Sequence, residues 1–169
     1  MNRIKVVNDV ADLVPILRAV DSEVKKTIFL EVAQTWLTAK QVQDKWGEEG
    51  LEALRFFEKM KLVETKWQTG QDDKGRAVPE KAYHAFYGSF HINASSPINE
   101  ISDVLAVAMM PEERYRKIEE RLDKMVGDQG MFAGDVADGL QVTQTTLKAL
   151  VKRSGRLDFR GHRIIRFEE

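Results

Sequence analysis

A chain of 169 residues, 43% hydrophobic and 31% charged, carries enough apolar side chain for one good core or two small ones and is not composed like a disordered polymer. It has no cysteine, which excludes disulfides, thiolate metal sites and cysteine nucleophiles; with no signal-peptide pattern in MNRIKVVNDV and no membrane-length apolar run, the expected location is cytoplasmic. Lys and Arg total 26 against 27 Asp and Glu, a net charge of -1, so a polyanionic partner requires positive charge gathered on one surface.

Ile4 to Val7 reads as a short strand, followed by a helical pattern from Val10 through Leu13, Ile16, Leu17 and Val20. Asp21 or Ser22 can cap a second helix that places Val24, Ile28, Phe29 and Val32 on one face. Trp36 and Leu37 form an extended link. Thr38 and Gln41 have capping-box spacing and open a short helix that Gly47 ends. A longer helix follows, with Leu51, Leu54, Phe57 and Met60 inward. Leu62 to Trp67 alternates as a strand, Gln68 to Glu80 reads as a loop, and a second strand runs from about Ala82 to Ile92. Helix, helix, turn, helix and hairpin in this order predict a winged helix.

Ser96 and Pro97 start a further helix whose body, Ile98 to Met110, is unusually apolar. Pro111 breaks it, and the charged helix Glu112 to Val126 runs until Gly127 and Gly130. The stretch Asp135 to Leu147 then has the pattern of a second helix-turn-helix. Ala137 sits at the crossing, Leu140 and Val142 plug the angle, and Thr143 caps a helix anchored by Leu147 and Leu150. Gln141 occupies the turn position that glycine often holds and must bear any left-handed geometry. Leu157 to Phe167 reads as a tight hairpin, a minimal wing. The fold class expected is mainly α with small β-hairpin wings (α+β), two winged helix-turn-helix units joined by helices. The domain boundaries expected are 1–93, 94–127 and 128–169.

Positive charge is segregated toward the C-terminus: Lys148, Lys152, Arg153, Arg156, Arg160, Arg163 and Arg166 face a single Asp158 before the terminal Glu168 and Glu169. On a reading helix and wing such groups meet phosphates, while Gln144, Thr145 and Lys148 on its first turns match adenine, the thymine methyl and guanine. The candidate contact residues for double-stranded DNA are therefore Thr143, Gln144, Thr145, Lys148, Lys152, Arg153, Arg160 and Arg163, with Lys74 and Arg76 from the first wing. The alternative is a solvated basic surface. The first reading helix opens with Glu48, Glu49 and Glu52, which repel phosphate, so that unit either contacts backbone at its flank through Lys66, Lys74, Arg76 and Lys81 or binds protein.

His84, His91 and His162 are scattered, and no catalytic, phosphate-loop or dinucleotide motif is present, so no metal, no cofactor and no enzymatic activity are expected. The apolar helix is a candidate homodimer seam through Ile101, Val104, Leu105 and Ala108, the alternative being that it fills intramolecular core.

The run Leu17 to Ile28, then Leu37-Thr38-Ala39 and Lys61-Leu62-Val63-Glu64, resembles ArsR-type repressors, and the two-unit order of the whole chain is similar to that of archaeal ArsR-like regulators found largely in methanogens. The resemblance implies a homodimer that regulates transcription. The cysteine or paired acid and histidine ligands of ArsR metal sensors are not recognisable in the sequence. The functional expectation is a sequence-specific DNA-binding transcription regulator; the alternative is a winged-helix protein–protein module of the transcription machinery without direct base readout.

Overall fold

The computed structural model describes residues 3–93 and 95–167; Met1, Asn2, Ala94, Glu168 and Glu169 lie outside it. In chain order the elements are β1 (Ile4–Val7), a 3-10 turn (Val10–Asp12), α1 (Leu13–Arg18), α2 (Glu23–Gln34), β2 (Leu37–Thr38), α3 (Ala39–Lys59), β3 (Val63–Gln71), β4 (Ala77–Ala85) and β5 (Ser89–Ile92). There follow α4 (Ile98–Met109), α5 (Glu112–Val126), β6 (Met131–Phe132), α6 (Ala133–Leu140), α7 (Gln144–Arg153), β7 (Leu157–Arg160) and β8 (Arg163–Arg166). The expected class holds: the chain is mainly helical, with small antiparallel hairpins.

The chain divides into two compact units, one of residues 1–6 with 19–91 and one of residues 7–18 with 92–169. Residues 7–18 and the helices over 98–126, which the sequence assigned to the N-terminal unit and to a connector, thus pack with the C-terminal helix-turn-helix. The cause is apolar: Val10, Ala11 and Val14 share one buried cluster with Val104, Leu122, Leu147 and Leu150.

Unit 1 is a winged helix. Ser22 caps α2 by accepting from the Lys25 amide, and Ile28 and Val32 of that helix are fully buried. The Thr38–Gln41 capping box forms in both directions, the Gln41 amide donating to Thr38 Oγ1 at 3.1 Å and the Thr38 amide to Gln41 Oε1 at 2.9 Å. Gly47, at φ 62° and ψ -146°, kinks α3 into two arms. The arms cross closely because Gly50 has no side chain; a Cβ there would lie 2.7 Å from Val42 Cγ1. Phe57, Leu54 and Leu62 fill the core against Ile28, and the sheet order is β2-β4-β3.

The wing of unit 1 differs from the sequence expectation. β3 and β4 pair without interruption from Val63↔Ala85 to Gln71↔Ala77, so most of the stretch read as a loop, 68–80, is strand and only residues 72–76 turn. Pro79 is tolerated because β2 pairs with β4 only at Ala82 and Tyr83, leaving β4 with an open edge at Pro79. The strand expected over 82–92 is broken after Ala85, and β5 pairs with β1 instead.

Unit 2 repeats the topology with α5, β6, α6, α7 and the β7–β8 hairpin, in sheet order β6-β8-β7. Gln141 adopts the left-handed conformation (φ 57°, ψ 46°) between α6 and α7. Gly127 and Gly130, both at positive φ, end α5 and turn the chain into β6. To this winged helix the unit adds a covering layer: the 3-10 turn, α1 and α4 all pack on α7.

Candidate nucleic-acid interface

α7 is the candidate reading helix, and burial divides its residues sharply. Leu147, Ala149, Leu150, Val151 and Arg153 are buried, whereas Gln144 and Lys148 are exposed and Thr145, Thr146 and Lys152 are half-buried. At 100° per residue, Gln144, Lys148, Lys152 and Thr145 fall within one stripe about 100° wide, bounded by Val151 on one side and Ala149 on the other. This stripe is the open face of the helix. Thr143 is its N-cap, with Oγ1 accepting from the Thr146 amide at 3.1 Å and donating to Asp103 Oδ2 at 3.2 Å.

Both lysines of the stripe are engaged. Lys148 Nζ donates to Asp9 Oδ2, and Lys152 Nζ lies 3.3 Å from Asp12 Oδ1. Asp9 uses its other oxygen to cap the 3-10 turn, accepting from the Ala11 amide at 3.0 Å. Partial burial pushes the Asp9 carboxyl up, but the hydrogen bonds from Lys148 and Ala11 and the charges of Lys148 and Lys152 outweigh it and hold the group below the ordinary carboxylate range.

Arg153 does not belong to the open stripe. It is 4% exposed and donates to the carbonyls of Val107 at 2.8 Å and Met110 at 2.6 Å, closing the C-terminus of α4. Its second terminal nitrogen donates to Glu112 Oε2 at 2.9 Å, and the guanidinium lies 4.2 Å from the centre of the Tyr115 ring. Burial and the nearby Glu119 charge push the Tyr115 hydroxyl up, so it stays protonated and donates to the Leu150 carbonyl at 2.9 Å. Arg153 is a structural clamp. One signal could have found it: it follows Leu150 by three residues and so shares that buried face.

In the wing of unit 2, Arg160 and Arg163 are exposed and directly opposite each other across the hairpin. Two like charges in that relation repel, and Arg163 is partly steadied by donating to the Gly130 carbonyl at 2.8 Å. An anion between the two arginines would relieve the repulsion. Arg166, by contrast, is neutralised by Asp123, at 2.8 Å, and by Asp128. Arg156 is exposed.

Unit 1 offers a different surface. Glu48, Glu49 and Glu52 are exposed on the second arm of α3, with Arg55 drawn to Glu48 at 3.0 Å. At the wing tip Arg76 pairs with Asp72 at 2.8 Å, and Asp72 also accepts from the Lys74 and Arg76 amides. Those bonds, the Arg76 amide first, hold the Asp72 carboxyl below its usual range. Lys74 is exposed beside them. Lys66 lies over the Trp36 ring at 4.2 Å and Lys81 reaches Glu58 at 2.6 Å, while Trp67 on the same wing is 70% exposed.

The four residues expected at a dimer seam separate. Val104 and Ala108 are buried in the core of unit 2, Ile101 is packed against that core, and Leu105 is 38% exposed. The outward face of α4 instead carries Ile98, 87% exposed, and Met109, 79% exposed, in line with Leu105.

Among the described residues no cluster of His, Asp and Glu has the makings of a metal site, and no helix is long and apolar enough to cross a membrane. No curated protein matches the chain. A family model described as the ArsR transcriptional regulator matches residues 7–168, so both winged helices fall within it and the chain belongs to that family of transcriptional regulators.

Proposed function

We propose that this chain is a sequence-specific regulator of transcription that binds double-stranded DNA as a cytoplasmic homodimer, of the archaeal, methanogen-like type its two-unit order resembles. The observation that carries the reading is the composition of the open stripe on α7. Gln144, Thr145, Lys148 and Lys152 line that stripe, away from the buried residues of the helix, and they are of the kinds that meet base edges and phosphates. Thr143 positions the stripe, and the facing pair Arg160 and Arg163 on the wing meets the backbone beside it. Lys74 and Arg76 belong to the first wing and are a lesser contribution, since Arg76 is already paired with Asp72.

Dimerisation pairs two reading heads for a palindromic site. The seam in this reading is the outward face of α4, where Ile98, Leu105 and Met109 recur at heptad-like spacing with Ser102 and Ala106 small between them. Sedimentation of the wild type is expected to give a dimer and Leu105→Glu a monomer; a wild type that stays monomeric at micromolar concentration removes the seam.

Selection from random duplexes with the purified chain tests the reading directly. A defined sequence is expected, and Lys148→Ala with Arg163→Ala is expected to weaken its binding and to reduce the salt slope by about 1, the share of the unpaired Arg163. The exposed acids of unit 1 support a second reading, a module that docks on protein of the transcription machinery. Recovery of polymerase or factor subunits without any duplex shift at low salt would favour it.

A further inference from the structure

The stripe on α7 meets three carboxylates from two separate elements. Asp9 precedes the 3-10 turn, Asp12 ends it, and Asp103 lies on α4; they engage Lys148, Lys152 and Thr143 in turn. This arrangement is built rather than incidental. The turn that carries Asp9 and Asp12 is fixed by Val10 and Ala11, both buried in the core, and Asp9 divides its two oxygens between its own cap and Lys148. Asp9 and Asp12 each give a lysine an anionic oxygen partner, the same kind of partner that a DNA phosphate offers.

We infer that Asp9 and Asp12 are internal phosphate mimics that hold down the sequence-independent affinity of α7 for DNA. The inference rests on the reading of α7 as the DNA-contacting helix. A lysine already paired contributes little counterion release when a duplex arrives, because the protein's own carboxylate must first be exchanged for phosphate. Base contacts from Gln144 and Thr145 involve no such exchange, so they make up a larger share of the total. The effect is selectivity: binding to arbitrary sequence is suppressed more than binding to the preferred one. Exposed pairs of this kind are weak enough to be exchanged at all.

The test uses the full chain and a duplex of random sequence, titrated over a range of salt. Asp9→Asn with Asp12→Asn is the informative variant, since asparagine caps a helix start as well as aspartate and the fold is retained. It is expected to bind about tenfold more tightly than the wild type, with a salt slope steeper by up to about 2. The gain is expected to vanish when Lys148→Ala and Lys152→Ala are also present. Unchanged affinity of the asparagine variant, alongside weakened binding of the alanine variant, would overturn the inference and leave the DNA reading standing. A gain that persists without the lysines would overturn it too, as a general charge effect. If neither pair of substitutions alters binding, α7 is not the DNA-contacting helix and both fall together.

Discussion

Unit 1 and unit 2 share one topology, a three-stranded sheet with the last strand of the hairpin in the middle and a helix-turn-helix packed on it, yet they use it in opposite ways. Unit 1 has a long wing of two nine-residue strands and a second helix-turn-helix arm that exposes Glu48, Glu49 and Glu52. Unit 2 has four-residue wing strands and a basic stripe on α7, hemmed in by α4, α1 and the 3-10 turn. The fold therefore provides the same scaffold twice, and the two copies differ in wing length, in covering layer and in the charge on their second helix. The added layer on unit 2 packs on α7 and brings Asp9 and Asp12 to its lysines.

The comparison breaks most visibly at Arg153. Unit 2 depends on this buried cation to close α4, so Arg153→Ala leaves the Val107 and Met110 carbonyls without their donor and is expected to destabilise the unit by roughly 3–5 kcal/mol. The three tryptophans, Trp36, Trp46 and Trp67, all lie in unit 1. Urea unfolding followed by tryptophan fluorescence should therefore keep its midpoint while the circular-dichroism transition moves down. Coincident shifts in both signals would mean that the units unfold as one body. Next in size is the turn between the helices. Gly47 sits in a region of backbone space that only glycine occupies comfortably, and Gly47→Ala is expected to cost about 1–3 kcal/mol, although a Cβ there would meet nothing within 4 Å. Gln141 occupies the ordinary left-handed region, so Gln141→Gly is expected to change stability by at most about 1 kcal/mol, toward stabilisation. Equal responses at the two turns would remove this difference between the units.

Much of this was legible in the sequence because its causes are local. The capping box at Thr38 and Gln41 forms from residues three apart, and the left-handed Gln141 follows from the spacing of Ala137, Leu140 and Thr143. The long wing was not legible. Gly70 and Pro79 are turn formers by composition, and only the open edge of β4 makes the proline harmless. The destination of residues 7–18 was also hidden, since apolar spacing shows that Val10 and Val14 are buried but not in which core. The positive charges of the second unit were visible as a group, but their fates were not. Arg153 is inside, Arg166 is paired, Lys148 and Lys152 are matched with acids far upstream in sequence, and Arg160 and Arg163 are exposed.

The smallest expected effect, and the one that sharpens the comparison without any mutation, is the response to acid. Three carboxyls of unit 2 are held below their usual range. At Glu112 and Asp9 partial burial works the other way and is outweighed, by hydrogen bonds from Arg153 and Arg116 at Glu112 and by Lys148 and the Ala11 amide at Asp9. At Asp123 the Arg166 hydrogen bond is the leading cause. A carboxyl with a depressed value in the folded state contributes stability that is complete above its unfolded value, near pH 4, and is lost as pH falls through the folded value. These pairs are partly exposed, so each is worth no more than about 1 kcal/mol. In unit 1 the depressed carboxyl Asp72 lies at the wing tip, held mainly by local backbone bonds away from the core. Lowering the pH from 7 to 3 should therefore reduce amide protection, measured against the intrinsic exchange rate at each pH, in α5 and α7 more than in α2 and α3. A larger loss of protection in α2 and α3 would show that the acid-sensitive charges lie in the other unit.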